Sequence, residues 1–228
     1  ALDAGDTRYT PVTGTMRLKQ AAALHFQRDL GIAADPADII VSAGGKQAIF
    51  EAVAALIGPN DHGGDEVIVP CPWWVSYPQM VRFVGGRVVP LVTSAAHGFR
   101  FEPGALDAKI GPATRLLMLN SPGNPTGAIY PADMLEGIAE VLRKHPHVMV
   151  LSDDIYAPLS YTGERHASLA ALAPDLAPRI LTVSGVSKSH AMTGFRIGVA
   201  TGPDWLIAAM GRLQSNASGN PASISQAA

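Results

Sequence analysis

Short, continuous apolar runs alternate with amphipathic stretches almost from one end of the chain to the other. Asp38-Ile39-Ile40-Val41, Glu66-Val67-Ile68-Val69, Arg87 to Val92, Arg115 to Leu119, Val148-Met149-Val150-Leu151 and Arg179 to Val183 are rich in Val, Ile and Leu. Strands buried on both faces have this pattern, because neither face needs polar positions. The intervening stretches repeat apolar residues at helical spacing and predict helices over Met16 to Leu30, Lys46 to Ile57, Trp74 to Val84 and Pro131 to Lys144, with a short one near Ala105 to Ile110. Phe195 to Thr201 predicts a seventh strand, Pro203 to about Gln214 a helix, and Pro221 to Ala228 the start of another. Strands and helices in alternation predict an α/β fold, a mostly parallel central sheet with helices on both faces.

The punctuation fits these boundaries. Gly31 can cap the first helix, Gly85-Gly86 can close the Trp74 helix, and Pro203 suits a helix's first turn. In a parallel sheet the strand C-termini share one edge, where ligands of open α/β folds bind. The segments just past those ends are Ser42 to Lys46, Asn120 to Gly127, Asp153 to Tyr156 and Ser184 to Lys188.

Composition narrows the chemistry. The 228 residues are 47% hydrophobic and 16% charged, ordinary for a globular protein. A net charge of -2, with five lysines and twelve arginines scattered, offers no stripe for nucleic acid or anionic membrane. No apolar run approaches the roughly 20 residues that span a bilayer. Cys71 is the single cysteine, so no internal disulfide forms; this and the lack of a signal-like start predict a cytoplasmic protein. The histidines lack ligand spacing, and no metal is expected.

The four segments together suit pyridoxal phosphate, which needs an amine, a carboxylate at its pyridine nitrogen, donors at its phenolic oxygen and a cradle for its phosphate. Lys188 is the candidate amine, with a pKa that burial and nearby cations would lower. Arg196, eight residues on, can pair with phosphate oxygens, and Gly194 would let the backbone approach. Asp153 can face the ring nitrogen while Tyr156 and Asn124 reach the phenolic oxygen; Asp154 is expected to face solvent or cap the next turn. Gly44-Gly45-Lys46-Gln47 opens a helix whose free N–H groups suit a phosphate, with Gly45 and Lys46 as its neighbours. Trp74 is assigned to ring stacking and Trp73 to packing. Taken singly each has a plainer reading: a loop lysine, a surface salt bridge, a helix cap, a core tryptophan.

In order and spacing, Tyr9-Thr10, Gly44 to Ala48, Pro72 to Pro78, Asn120-Ser121-Pro122 with Asn124 to Gly127, Ser152-Asp153 with Tyr156, and Ser187-Lys188 through Arg196 resemble the fold-type I pyridoxal-phosphate aminotransferases, class I, notably the bacterial aspartate aminotransferase-like subgroup. The resemblance covers nearly the whole chain. It implies that Lys188 holds the cofactor as a Schiff base and moves the substrate proton, that Trp74 stacks, and that Asn124 also neighbours the substrate carboxylate. It implies a homodimer in which Tyr9 reaches the partner subunit's cofactor phosphate, with an aspartate-like amino acid and a 2-oxo acid as substrates. The chain departs from the family at Phe195 and Asp154, and at Gly185, where Ser184 or Ser187 would have to replace a phosphate-binding hydroxyl. The run Gly58 to Gly64 reads as a lengthened surface turn. With no counterpart of the family's N-terminal substrate loop or C-terminal small domain, residues 1–228 read as the large cofactor-binding domain, a fragment of a longer chain. A lyase or racemase of the same fold is the enzyme alternative, and an aminotransferase-like effector domain of a transcription regulator a more distant one.

Overall fold

A computed structural model describes residues 1–59, 64–161, 163 and 166–228; most of the predicted Gly58 to Gly64 excursion lies outside them. Helix α1 (Met16–His25) continues into a π-helical segment, Phe26–Leu30. Then follow β1 (Ile39–Ser42), α2 (Gly45–Leu56), β2 (Glu66–Cys71), α3 (Ser76–Phe83), β3 (Arg87–Val92), α4 (Pro103–Asp107), β4 (Thr114–Asn120) and α5 (Ala132–Lys144). The chain continues through β5 (Met149–Asp153), α6 (Leu169–Leu172), β6 (Ile180–Gly185), α7 (Val186–Ser189), β7 (Gly198–Thr201), α8 (Asp204–Ala217) and α9 (Ser223–Ala227). Gly31 caps the first helical run in the left-handed region at φ 73°, a conformation glycine adopts without a Cβ penalty.

The seven strands form one sheet in the order β1-β7-β6-β5-β4-β2-β3. Strand β7 runs antiparallel to β1 and β6, and the other neighbours pair in parallel. Alternation along each strand divides the core. Val67 and Val69 of β2, with Leu116 and Met118 of β4, pack towards α2, α3 and α8. Ile68, Leu117 and Leu119 pack towards α4, α5 and α6. A third cluster lies under α1, built on Phe26, Leu30, Val41 and Val199. Strand β3 is at the sheet edge and carries Pro90, a residue that edge strands tolerate.

Two predicted boundaries shift for reasons that matter to the site. The Trp74 helix begins at Ser76, leaving Trp74 in the connection after β2. The Phe195 strand begins only at Gly198, because Thr193–Phe195 form a 3-10 turn and Arg196 is left-handed at φ 55°. A non-glycine residue there leaves the extended region and swings its side chain out of the strand line.

One buried acid belongs to the scaffold. Glu51 of α2 is 3% exposed and accepts from Gln47 Nε2 at 2.7 Å, while its Oε2 is unpartnered among the described residues. Burial lifts its pKa to about 7, with the Gln47 bond opposing. The folded state therefore binds a proton that the unfolded chain releases near its ordinary 4.5, and stability falls as pH rises from about 4.5 to about 7. Urea unfolding of Glu51→Gln is expected to match wild type near pH 4 and to be more stable by about 3 kcal/mol near pH 8; equal midpoints at both pH values would contradict it.

Candidate active site

The C-terminal ends of the parallel strands converge as their register requires. Asn120 pairs with Asp153 across β4 and β5, Asp153 with Val183 across β5 and β6, and Gly185 with Gly198 across β6 and β7. Over this edge opens a cavity of about 310 Å³, within the ~300–1,000 Å³ range of small-molecule sites. Gly45, Lys46, Trp74, Asn124, Asp153, Tyr156, Lys188 and Arg196 all line it. Of the predicted site residues, Tyr9 alone lies elsewhere, 97% exposed, by the N-terminal segment and α9.

Lys188 stands on the one-turn helix α7 directly after β6, and its Nζ lies 5.5 Å from the Tyr156 ring centre. Asp153 ends β5, is 4% exposed, and accepts the Tyr77 hydroxyl at 2.6 Å and the Ile155 N–H at 3.3 Å. Burial pushes its pKa up to about 6; the Tyr77 and Ile155 bonds and the charge of Lys188 pull down, while Asp154 pushes up. Asn124 Nδ2 donates to the Tyr156 hydroxyl at 3.3 Å. Asn120 orients that loop, taking the Asn124 N–H at 2.8 Å and donating to the Asp153 carbonyl at 2.7 Å.

The end of the cavity at the start of α2 is built by close approach. The Arg196 guanidinium donates to the carbonyls of Thr193 and Ala43, at 2.9 and 3.2 Å, and forms no ion pair with any described acid. It lies across Gly44, where a Cβ would collide with it, and Gly44 has a φ of 89°. The glycine that admits the arginine is therefore Gly44; Gly194 faces open space. Gly198 likewise lets β7 touch the Gly44-Gly45 backbone. Helix α2 begins there, and its first N–H groups have no intrahelical acceptor. Lys46 Nζ sits 4.9 Å over the Trp74 ring, a cation–π contact.

Three expectations need correction or completion. Asp154 neither faces solvent nor caps a turn with its side chain: it is 1% exposed and accepts from Ser152 Oγ at 2.6 Å, because its own N–H bonds Val183 and holds it in the sheet edge. Of the two serines offered in place of a hydroxyl at Gly185, Ser187 lines the cavity. Ser184 is buried against His25 Nε2 at 2.8 Å, and His25 Nδ1 meets Asp29 at 2.6 Å. The unforeseen residue is Tyr77. The sequence signal was present, a tyrosine one helical turn past Trp74, but only the packing of α3 on the sheet brings its hydroxyl to Asp153.

Comparison with known proteins places this arrangement. Residues 2–228 match the family model for aminotransferase class I and II. The chain belongs to that family. It is 47% identical to the aspartate aminotransferase of Rhizobium meliloti over 228 residues, and 45% identical over 226 residues to the aspartate/prephenate aminotransferase of Cereibacter sphaeroides. These matches cover 100% and 99% of this chain but 55% and 56% of the relatives, so the chain spans about half their length. Among solved structures it superposes on the Rhizobium meliloti aspartate aminotransferase with a TM-score of 0.96 at 46% identity, covering 100% of this chain and 56% of that one. The Thermus thermophilus aspartate aminotransferase with maleate gives 0.93 at 43% identity, covering 99% and 57%. The fold-type I aminotransferase architecture, with its seven-stranded sheet, is thus shared along the whole of this chain.

Tyr77→Phe provides a direct check on the Asp153 environment. Removing the hydroxyl that stabilises the carboxylate should raise the Asp153 pKa above about 6, by about one unit for a lost hydrogen bond to a charged group. A carboxyl 13C titration that stays at the wild-type value would show that the bond contributes nothing.

Proposed function

We propose that the chain is the cofactor-binding large domain of a pyridoxal-phosphate-dependent transaminase, moving an amino group from an aspartate-like L-amino acid to a 2-oxo acid in two half-reactions. One observation carries the reading: a single cavity brings together a lysine, a buried carboxylate, an amide–phenol pair and an arginine laid over a glycine at a helix start.

The donor set fits the cofactor. Gly44 leaves room for the Arg196 guanidinium beside the first N–H groups of α2, a charge-assisted cradle for a phosphate. Asp153 has a buried carboxylate aligned by Tyr77 and Ile155, suited to a protonated ring nitrogen. Tyr156 and Asn124 form one polar pair for a phenolic oxygen, and Trp74 offers an aromatic face at the cavity wall. When bound, the cofactor supplies an electron sink for the bond being broken at the substrate α-carbon.

The chain's own residues supply the rest. Lys188, on a short helix fixed to β6, provides the amine that carries the cofactor and afterwards holds or returns the α-proton. Asp153, ionised above about pH 6, keeps the ring nitrogen protonated. Asn124 and Tyr156 would donate to the cofactor's phenolic oxygen, and Asn124 would neighbour the substrate carboxylate. The cations Lys46, Lys188 and Arg196 give the cavity a positive character that suits acidic substrates, in line with the names of the aspartate and prephenate aminotransferase relatives. We assign Tyr9, on the N-terminal segment, to the partner's phosphate in a homodimer; its exposure in the single chain supports that reading. The single unpaired cysteine and the charge balance accord with a cytoplasmic protein; among the described residues no helix is long and apolar enough to cross a membrane.

The test is the visible spectrum of the protein reconstituted with pyridoxal phosphate, before and after L-aspartate. A band that forms and then converts to the pyridoxamine form on adding aspartate is expected. A band that yields pyruvate and ammonia without a 2-oxo acid acceptor would instead indicate a lyase.

A further inference from the structure

Behind Asp153 lies a second buried carboxylate that takes no part in the cavity lining. Asp154 Oδ1 accepts from Ser152 Oγ at 2.6 Å, and its Oδ2 faces His166 Nε2 at 3.4 Å. The two side chains are 2% and 3% exposed. Among the described residues, neither Asp154 Oδ2 nor either ring nitrogen of His166 has a hydrogen bond, and His166 is the one basic group within ion-pair distance of Asp154.

The neighbouring charge of Asp154 raises the affinity of Asp153 for a proton. The groups bearing on Asp153 are Tyr77 from α3, Lys188 from α7, and Asp154 from its own strand end; Tyr77 and Lys188 favour the ionised form and Asp154 opposes it. A buried carboxylate is tolerated when an opposite charge lies beside it, and for Asp154 that position is held by an imidazole. We propose that His166 is a positioning residue that carries the counter-charge of Asp154 and so leaves Asp153 as the carboxylate presenting net negative charge to the cavity. This rests on the reading of Asp153 as the partner of the ring nitrogen. His166 acts through the Asp154 pair, behind the sheet edge, and touches no reacting group.

The experiment uses the full 228-residue chain without cofactor, labelled with 13C at aspartate carboxyls and 15N at histidine rings. In wild type, His166 is expected to show the nitrogen shifts of an imidazolium while Asp154 is ionised. In His166→Gln, the Asp153–Asp154 pair is expected to take up its first proton about one pH unit higher than in wild type. Adding Asp154→Asn to that variant should return Asp153 to its wild-type titration or below, which a packing defect would not do. An unchanged titration in His166→Gln, or a double variant that keeps the shifted value, overturns the proposal. If His166→Gln does not fold, the wild-type nitrogen shifts decide: a neutral ring beside an ionised Asp154 overturns it. Neither readout involves pyridoxal phosphate, so failure to bind the cofactor would count against the proposed function and not against this pair.

Discussion

Lys188→Ala, mixed with pyridoxal phosphate, is expected to show only the spectrum of the free aldehyde, with no band of lysine-bound cofactor. The Arg196 guanidinium and the α2 start are untouched by the change and Asp153 loses only the nearby charge of Lys188, so the cofactor should still be held non-covalently and released on dialysis. Conversion on adding L-aspartate should slow by on the order of 10⁴-fold or more, the scale on which loss of a covalent nucleophile acts. The other lysine lining the cavity is Lys46, and its Nζ is engaged over the Trp74 ring at 4.9 Å. If Lys46→Ala lost the lysine-bound band and Lys188→Ala kept it, the two roles would have to be exchanged.

Asp153→Asn should have the next largest effect. The amide keeps the size of the side chain and can still accept from Tyr77, so the fold should persist, but the charge proposed to face the ring nitrogen is lost. Removing one partner of a buried charge pair costs about 3–5 kcal/mol, which corresponds to on the order of 10²–10⁴-fold in the rate of the aspartate half-reaction. The pH dependence gives a second signature. With Asp153 at about 6, the wild-type protein without cofactor carries the negative charge above that pH and loses it below. Cofactor binding should therefore weaken as pH falls through about 6, and the Asn variant should lack that limb. A limb that survives in Asp153→Asn would assign it to another group.

Much of the site was legible because strand ends are legible. Buried parallel strands are apolar without interruption, so the first polar residues after Val150-Leu151 or Leu181-Thr182-Val183 had to lie at the same sheet edge. Asp153, Asn124 and Lys188 could be brought together on that basis alone. Helix starts were equally clear at Gly45, where two glycines precede an amphipathic run. Arg196 was found by its spacing from Lys188, but the strand drawn through it was wrong: its backbone is left-handed, and β7 begins only at Gly198.

Asp154 shows the opposite case. A second aspartate after a strand reads as a solvated or capping residue, and nothing local contradicts that. It is buried because its N–H completes the sheet edge with Val183 and because His166, twelve residues on, returns to the same place. Tyr77 was missed for a related reason. Its spacing from Trp74 suggests a shared helix face, although Trp74 lies before α3; that it meets Asp153, 76 residues along the chain, depends on how α3 packs on the sheet.

By itself, then, the sequence determined the α/β class, the strand ends and the residue types gathered at them, because burial on two faces leaves a readable run of apolar residues and a polar residue at its end. Tertiary structure alone decided which glycine makes room for Arg196, which hydroxyl holds Asp153, and that Asp154 lies against His166. Those are contacts between side chains far apart in sequence, set by helix packing and by the register of β5 against β6, and no local pattern of residues encodes them.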